Sequence, residues 1–191
     1  MKDNFDRSLK FVLGYEGKFS DVAEDRGGPT NQGITMTTLR EYHACYGYGD
    51  FDNDGNIDAE DIRLLDTPGE AEPVYKRLFW DKVRGDDLPA GIDYLIFDSA
   101  VNHGSRYAGK FLQRAINRAS RNLLVVDGVI GSKTVDAAKC QNNSELTTNI
   151  LRERDIFYRK IVSCDQSQEK FFKGWMNRLA KVTTNLLEFK A

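Results

Sequence analysis

Apolar positions recur every three to four residues along most of the chain, a spacing that predicts helices rather than strands. Phe5, Leu9, Phe11, Val12, Leu13 and Tyr15 predict a first helix laid on a core. Gly17 follows it, as a glycine often follows a helix C-terminus. Val74, Tyr75, Leu78, Phe79 and Trp80 predict a helix over 70–82, and a Gly- and Pro-containing loop over 84–91 leads into an apolar helix over 92–102. Further helices are predicted from Tyr107 through Ile116, over 134–138, over 146–161 and over 171–189. Phe157, Tyr158, Phe171, Phe172 and Trp175 fall on the stripes of the last two and read as core rather than as a binding platform. Strand signals are few, so the expected fold class is mainly α, and no repeat or low-complexity segment interrupts it.

Two polar stretches break this rhythm and carry the candidate chemistry. In the first, Glu16 stands at a helix end and is followed by Asp25 and then Thr30 on a loop punctuated by Gly27, Gly28 and Gly33. A carboxyl at the last turn of a helix faces the negative end of the macrodipole, and partial burial disfavours its charged form further, so it can hold a proton near neutral pH. A protonated acid with a second carboxylate beside it is the equipment of glycoside hydrolysis. On that reading Glu16 is the acid, Asp25 the second carboxylate and Thr30 a group that orients water. The alternative is a capped helix followed by an ordinary polar hairpin.

The second stretch runs from Asp50 to Asp61. Asp50, Asp52, Asp54, Asp58 and Asp61 occupy positions 1, 3, 5, 9 and 12 of an EF-hand-type calcium loop, with Gly55 at the bend and Asn56 offering its carbonyl. So many carboxylates in one short turn repel one another unless a cation is present. The expected ligands are Asp50, Asp52, Asp54, Asn56 and Asp61, with Asp58 acting through water. Asp61 replaces the usual glutamate at the last position and resembles the calcium loops of dockerin modules, so one structural Ca2+ is expected rather than a switch.

Composition narrows the field modestly. The chain has 191 residues and a formal net charge of −2, which supplies no global field for nucleic acid. Cys45, Cys140 and Cys164 lack the spacing of a zinc or redox site and read as reduced structural thiols. His43 and His103 have no partner pattern and read as surface or cap residues. The N-terminus lacks the apolar core of a signal peptide, and no stretch is long enough to span a bilayer, so no stable membrane association is expected. On the helix over 92–102, Asp98 and Asn102 are four apart and share a face that can project into a cleft, the alternative being a polar helix end with Asn102-His103-Gly104 as its cap. With Asn31 they are the candidate substrate-binding residues.

Several strings, in order along the chain, resemble the glycoside hydrolase family 108 muramidases, which occur as phage endolysins and bacterial lysozyme-like proteins. They are Glu16-Gly17-x-Phe19, then Asp25-x-Gly27-Gly28-x-Thr30-Asn31-x-Gly33-Ile34-Thr35, and Phe97-Asp98-x-Ala100-Val101-Asn102-x-Gly104. Asp127-Gly128-Val129-Ile130-Gly131-x-Lys133-Thr134 and Phe172-x-Gly174-Trp175-x-Asn177-Arg178 are similar to that family's predicted peptidoglycan-binding half. The family commonly has Glu-Gly-Gly where this chain has Glu16-Gly17-Lys18, and the calcium loop is an insertion the family does not require.

The resemblance implies a lysozyme-like fold with a small β-hairpin near the active site and a helical C-terminal peptidoglycan-binding part. The corresponding division is a catalytic part over 1–95, with the calcium loop inserted at about 46–66, and a peptidoglycan-binding part over 96–191 packed against it. It also implies hydrolysis of the β-1,4 bond between N-acetylmuramic acid and N-acetylglucosamine, with Glu16 as general acid. An endolysin of this kind is expected to be a monomer, held in the host bacterial cytoplasm until a separate holin-type pore lets it reach the periplasm and cell wall. A lytic transglycosylase and a non-catalytic peptidoglycan-binding or secretion-activator protein are the alternatives.

Overall fold

The computed structural model describes residues 2–14, 30–65, 68–120 and 123–189. The helices, in chain order, are α1 (Lys2–Leu13), α2 (Met36–Tyr46), α3 (Ala59–Leu64), α4 (Pro68–Tyr75), α5 (Ile92–His103), α6 (Ser105–Ala119), α7 (Ser132–Lys139), α8 (Asn143–Cys164) and α9 (Glu169–Asn185). Among the described residues the strands are β1 (Thr30–Asn31) and β2 (Ile34–Thr35), paired antiparallel with Thr30 opposite Thr35 and Asn31 opposite Ile34. The mainly α class with one small hairpin is the fold expected from the sequence. Among the described residues no helix is long and apolar enough to cross a membrane.

The chain forms two compact units, Leu9–Leu78 and Met1–Ser8 with Phe79–Ala191. In the first, Gln32 and Gly33 both take positive φ, 49° and 74°, which turns β1 tightly back into β2. Thr35 then caps α2, its hydroxyl accepting from the Thr38 N–H at 3.2 Å. Leu39, Tyr42, Ile62, Leu65, Val74 and Tyr75 are buried in this unit. Pro73, inside α4, has no N–H to donate, and α4 runs on into a π-helical turn over Lys76–Trp80.

The second unit is a helical assembly built on α5. That helix buries every residue from Ile92 through Ala100, as a helix apolar on nearly all sides must. It packs against α6 and α8, and α9 packs on α8. Phe5, Trp80 and Phe97 form an edge-to-face trio with ring centroids 5.3–5.9 Å apart. The Trp80 indole N–H donates to Asp86 at 3.0 Å, and Gly85 lies so close under the indole that a Cβ there meets the ring. Trp80, Gly85 and Asp86 belong to this second unit. Asp93, buried at the start of α5, accepts from Asn4 and from the Gly91 and Tyr94 N–H groups, each at 2.7 Å.

Candidate functional site

Glu16 and Asp25 lie outside the described residues, and the hairpin follows them along the chain. Thr30 is half-buried on β1, opposite Thr35. The neighbouring side chain, Asn31, is enclosed, and its Nδ2 donates to the Ile62 carbonyl on α3 at 3.1 Å. Gln32 adds two links: its Nε2 donates to the Leu65 carbonyl at 3.3 Å, and its own carbonyl accepts the Tyr75 hydroxyl at 2.8 Å. The hairpin is therefore fastened to α3 and α4. Asn31, a candidate substrate-binding residue, is 6% exposed, and its amide anchors β1 on α3.

α3 is also the helix that leaves the acidic loop. Asp50, Asp52 and Asp54 each present a carboxylate oxygen, and these atoms lie within 4.8 Å of one another. The loop is wound for this convergence: Asn53 and Gly55 take φ values of 61° and 86°, and Asp50 accepts from the Asp54 and Gly55 N–H groups at 3.2 and 3.0 Å. The Asp54 N–H pulls the Asp52 carboxyl down, but desolvation and the like charges of Asp54, Asp61 and Asp50 together leave its pKa above the ordinary value. Asp61 is almost fully enclosed and closes the loop, accepting from the Phe51 N–H at 2.7 Å and the Asp58 N–H at 2.9 Å. Asp58 caps α3, forming a reciprocal capping box with Asp61. The Asn56 side chain turns back to Asp54 at 3.3 Å.

In the second unit Asp98 and Asn102 do not project together into a cleft. Asp98 is fully enclosed, one oxygen held by Arg154 at 2.7 Å and the other by Arg178 at 3.0 and 3.1 Å. Asn102 is exposed, and its amide donates to the Asp98 carbonyl at 2.7 Å. A carboxylate between two guanidinium groups is satisfied internally, so Asp98 is a structural charge. The sequence gives no local sign of this, because Arg154 and Arg178 lie 56 and 80 residues away.

His103, expected to be a surface or cap residue, joins the same network. Its Nε2 lies 2.9 Å from the Tyr158 hydroxyl, which also accepts from Arg154 at 3.3 Å. Burial, reinforced by the Arg154 guanidinium, pushes the His103 pKa down to about 4. The imidazole is therefore neutral at pH 7, sharing a hydrogen bond with the Tyr158 hydroxyl. The three cysteines are free and exposed, so they do not serve as packed structural thiols.

The aromatic stripes also differ from expectation. Tyr107 and Phe171 are 46% and 47% exposed, Phe157 and Trp175 are half-buried, and only Tyr158 among this group is enclosed. Helical spacing marks which residues share a face but not whether another element covers it.

Comparison with known proteins matches residues 9–104 to the family described as glycosyl hydrolase 108 and residues 107–180 to the predicted peptidoglycan domain. The solved structure of Brucella abortus SagA is similar throughout: 30% identical, covering 99% of this chain and 97% of that one, with a TM-score of 0.78. None of the curated proteins matches.

Proposed function

Because the chain belongs to the glycosyl hydrolase 108 family and carries a predicted peptidoglycan domain, we propose that it hydrolyses the β-1,4 bond between N-acetylmuramic acid and N-acetylglucosamine in bacterial peptidoglycan. The observation that carries the reading is the order of the segments. The string from Glu16 to Thr35 falls inside the matched hydrolase segment, and the Asp127–Thr134 and Phe172–Arg178 strings fall inside the peptidoglycan segment.

In this mechanism the Glu16 carboxylic acid protonates the departing glycosidic oxygen. Asp25 stabilises the oxocarbenium-like sugar or activates the incoming water, and Thr30 helps hold that water. The hairpin's ties to α3 and α4 support such a role for Thr30, since a water-orienting hydroxyl works only from a fixed backbone.

Reducing-end release from purified sacculi tests the assignment. Glu16→Gln should lower turnover by about a hundredfold or more, the scale of a lost general acid. Native-like turnover in that variant rejects the role of Glu16. Mass spectrometry of the products separates hydrolysis from transglycosylation, because the latter leaves a 1,6-anhydro sugar lighter by one water.

We further propose one calcium ion at Asp50, Asp52 and Asp54, with the Asn56 carbonyl and Asp61 completing the set. What supports this reading is three carboxylate oxygens within 4.8 Å of one another on a loop whose Asn53 and Gly55 take positive φ. The ion would supply charge neutralisation, and the residues themselves hold the start of α3.

A further inference from the structure

Among the described residues, the second unit carries a group of partly exposed aromatic rings that neither the hydrolytic chemistry nor the calcium loop uses. It begins at Tyr107 on α6, whose ring centroid lies 5.1 Å from that of Phe157 on α8. Tyr158, the next residue of α8, stacks on Trp175 of α9 at 5.3 Å and 16°, and Trp175 meets Phe171 at 6.1 Å. His103 bridges the two halves, 5.2 Å from Phe157 and 5.3 Å from Tyr158. The Tyr107–Phe157 pair and the Trp175–Phe171 pair are thus linked from beneath by the enclosed Tyr158 and by His103, and Tyr107 and Phe171 are the most exposed members.

The rings are held from behind. The Tyr158 hydroxyl is fixed by His103 and Arg154, and Arg154 is fixed by Asp98, so the ring beneath Trp175 is tied to a fully buried ion pair. Side chains immobilised before a ligand arrives lose little entropy when it binds. Tyr107 and Phe171 stand 46% and 47% exposed with Phe157 and Trp175 half-buried beside them, and grouped exposed aromatic rings mark binding sites. Cations flank both ends: Lys110 Nζ sits 5.6 Å from the Tyr107 ring centroid and Lys170 Nζ 4.9 Å from that of Phe171.

We infer that Tyr107, Phe157, Trp175 and Phe171 form the glycan-docking platform of this chain, on which sugar rings of a peptidoglycan strand stack. The inference rests on the peptidoglycan reading above and deepens it by naming the surface and the part of the polymer it takes. Pyranose rings present faces of polarised C–H groups, which complement the negative faces of aromatic rings. All four platform residues fall within the matched peptidoglycan segment, 107–180. Lys110 and Lys170 suit the carboxylates of stem peptides projecting from the same strand.

The two tryptophans make the test direct, because Trp80 is fully buried and only Trp175 can respond to a surface ligand. Peptide-free glycan strands, prepared from sacculi with an amidase, are titrated against full-length Glu16→Gln protein while its emission is followed. Saturable change is expected, and it should vanish in Trp175→Phe although pelleting with the strands persists within about threefold, since one aromatic ring replaces another. Tyr107→Ser with Phe171→Ser removes the exposed ends without touching the core and should weaken pelleting about tenfold or more, the loss expected of two stacked rings.

Unchanged pelleting by the Tyr107/Phe171 double variant overturns the inference, as does binding to intact sacculi but not to peptide-free strands. A platform that serves instead to join two copies would show as a dimer in sedimentation, dissociated by the double variant with strand binding intact, and that also overturns it. Sacculus turnover by the native chain is read separately. No turnover with platform-dependent binding removes the hydrolase reading and leaves this one standing.

Discussion

Acidification from pH 7.5 to pH 5 should loosen the second unit through one imidazole, and the size of the effect follows from its environment. His103 has a pKa of about 4 in the folded chain, against 6.5 unperturbed. The unfolded chain therefore binds the proton more readily, and the stability conferred by the neutral ring is complete above pH 6.5 and lost progressively as the pH falls toward 4. For those two values the loss is about 2 kcal/mol at pH 5 and about 3 kcal/mol at pH 4. Burial sets the sign, Arg154 and Arg178 reinforce it by repelling an imidazolium, and Asp98, already shared between them, offsets this only in part. A loss of about 2 kcal/mol corresponds to a fall of roughly 4–8 °C in Tm for a chain of this size. Guanidinium unfolding followed by tryptophan emission reports on this unit, since both tryptophans belong to it. His103→Gln keeps a hydrogen-bonding group near Tyr158 without the titration. The stability difference between native and variant chains should shrink by about 2 kcal/mol between pH 7.5 and pH 5, while carboxylate titrations common to both cancel. A difference independent of pH over that window refutes the buried neutral imidazole.

Arg154→Ala should cost about 3–5 kcal/mol of unfolding free energy, because it strands a buried carboxylate; Arg178→Ala should cost less, since Arg154 still holds Asp98, and denaturant midpoints give the order. Calcium at about a hundred times its dissociation constant should stabilise the chain by about 2.7 kcal/mol, read as a rise in Tm that chelation reverses and Asp50→Asn diminishes. A melt indifferent to calcium and to chelator rejects the ion. Asn31→Ala should cost about 1–3 kcal/mol by leaving the Ile62 carbonyl unpaired, and Asn31→Asp should not restore it, because a carboxylate cannot donate. Thermal melts of the three chains decide the point.

The helices were legible because their information is local. Three- and four-residue spacing located α5, α6, α8 and α9, and the glycine-rich polar string at 27–35 contained the turn that became the hairpin. What the sequence could not reveal is held by partners far apart along the chain. Asp98 sits on a helix whose spacing gives no reason to separate a buried carboxylate from a cleft-facing one, and the two arginines that decide it come from α8 and α9. His103 precedes Gly104, which does end α5, so a cap reading was reasonable for the backbone. The ring itself turns inward to Tyr158, a contact that spacing does not encode. The aromatic residues of α9 illustrate the complementary limit: their periodicity is that of a packed face, yet among its residues only Leu179 and Val182 are buried, and Phe171 remains outside.

Within the first unit the acidic loop and the hairpin meet at α3. Asp61 belongs to both the loop and α3: it accepts from Phe51 at the start of the loop and from Asp58 at the helix cap. One residue further, Ile62 offers the carbonyl that receives Asn31, and Leu65 offers the one that receives Gln32. Thr30 precedes Asn31 on the same strand. Any cation that draws Asp50, Asp52 and Asp54 together therefore fixes the first turn of α3, and α3 fixes the strand bearing Thr30. α3 has only six residues, too few to be stable as an isolated helix. Its order comes from the loop on one side and the hairpin on the other, so neutralising the loop should stiffen the hairpin without any contact between ion and sugar. On the calcium reading proposed above, the insertion would brace the strand that bears Thr30, and its effect would pass through Asn31 and Gln32.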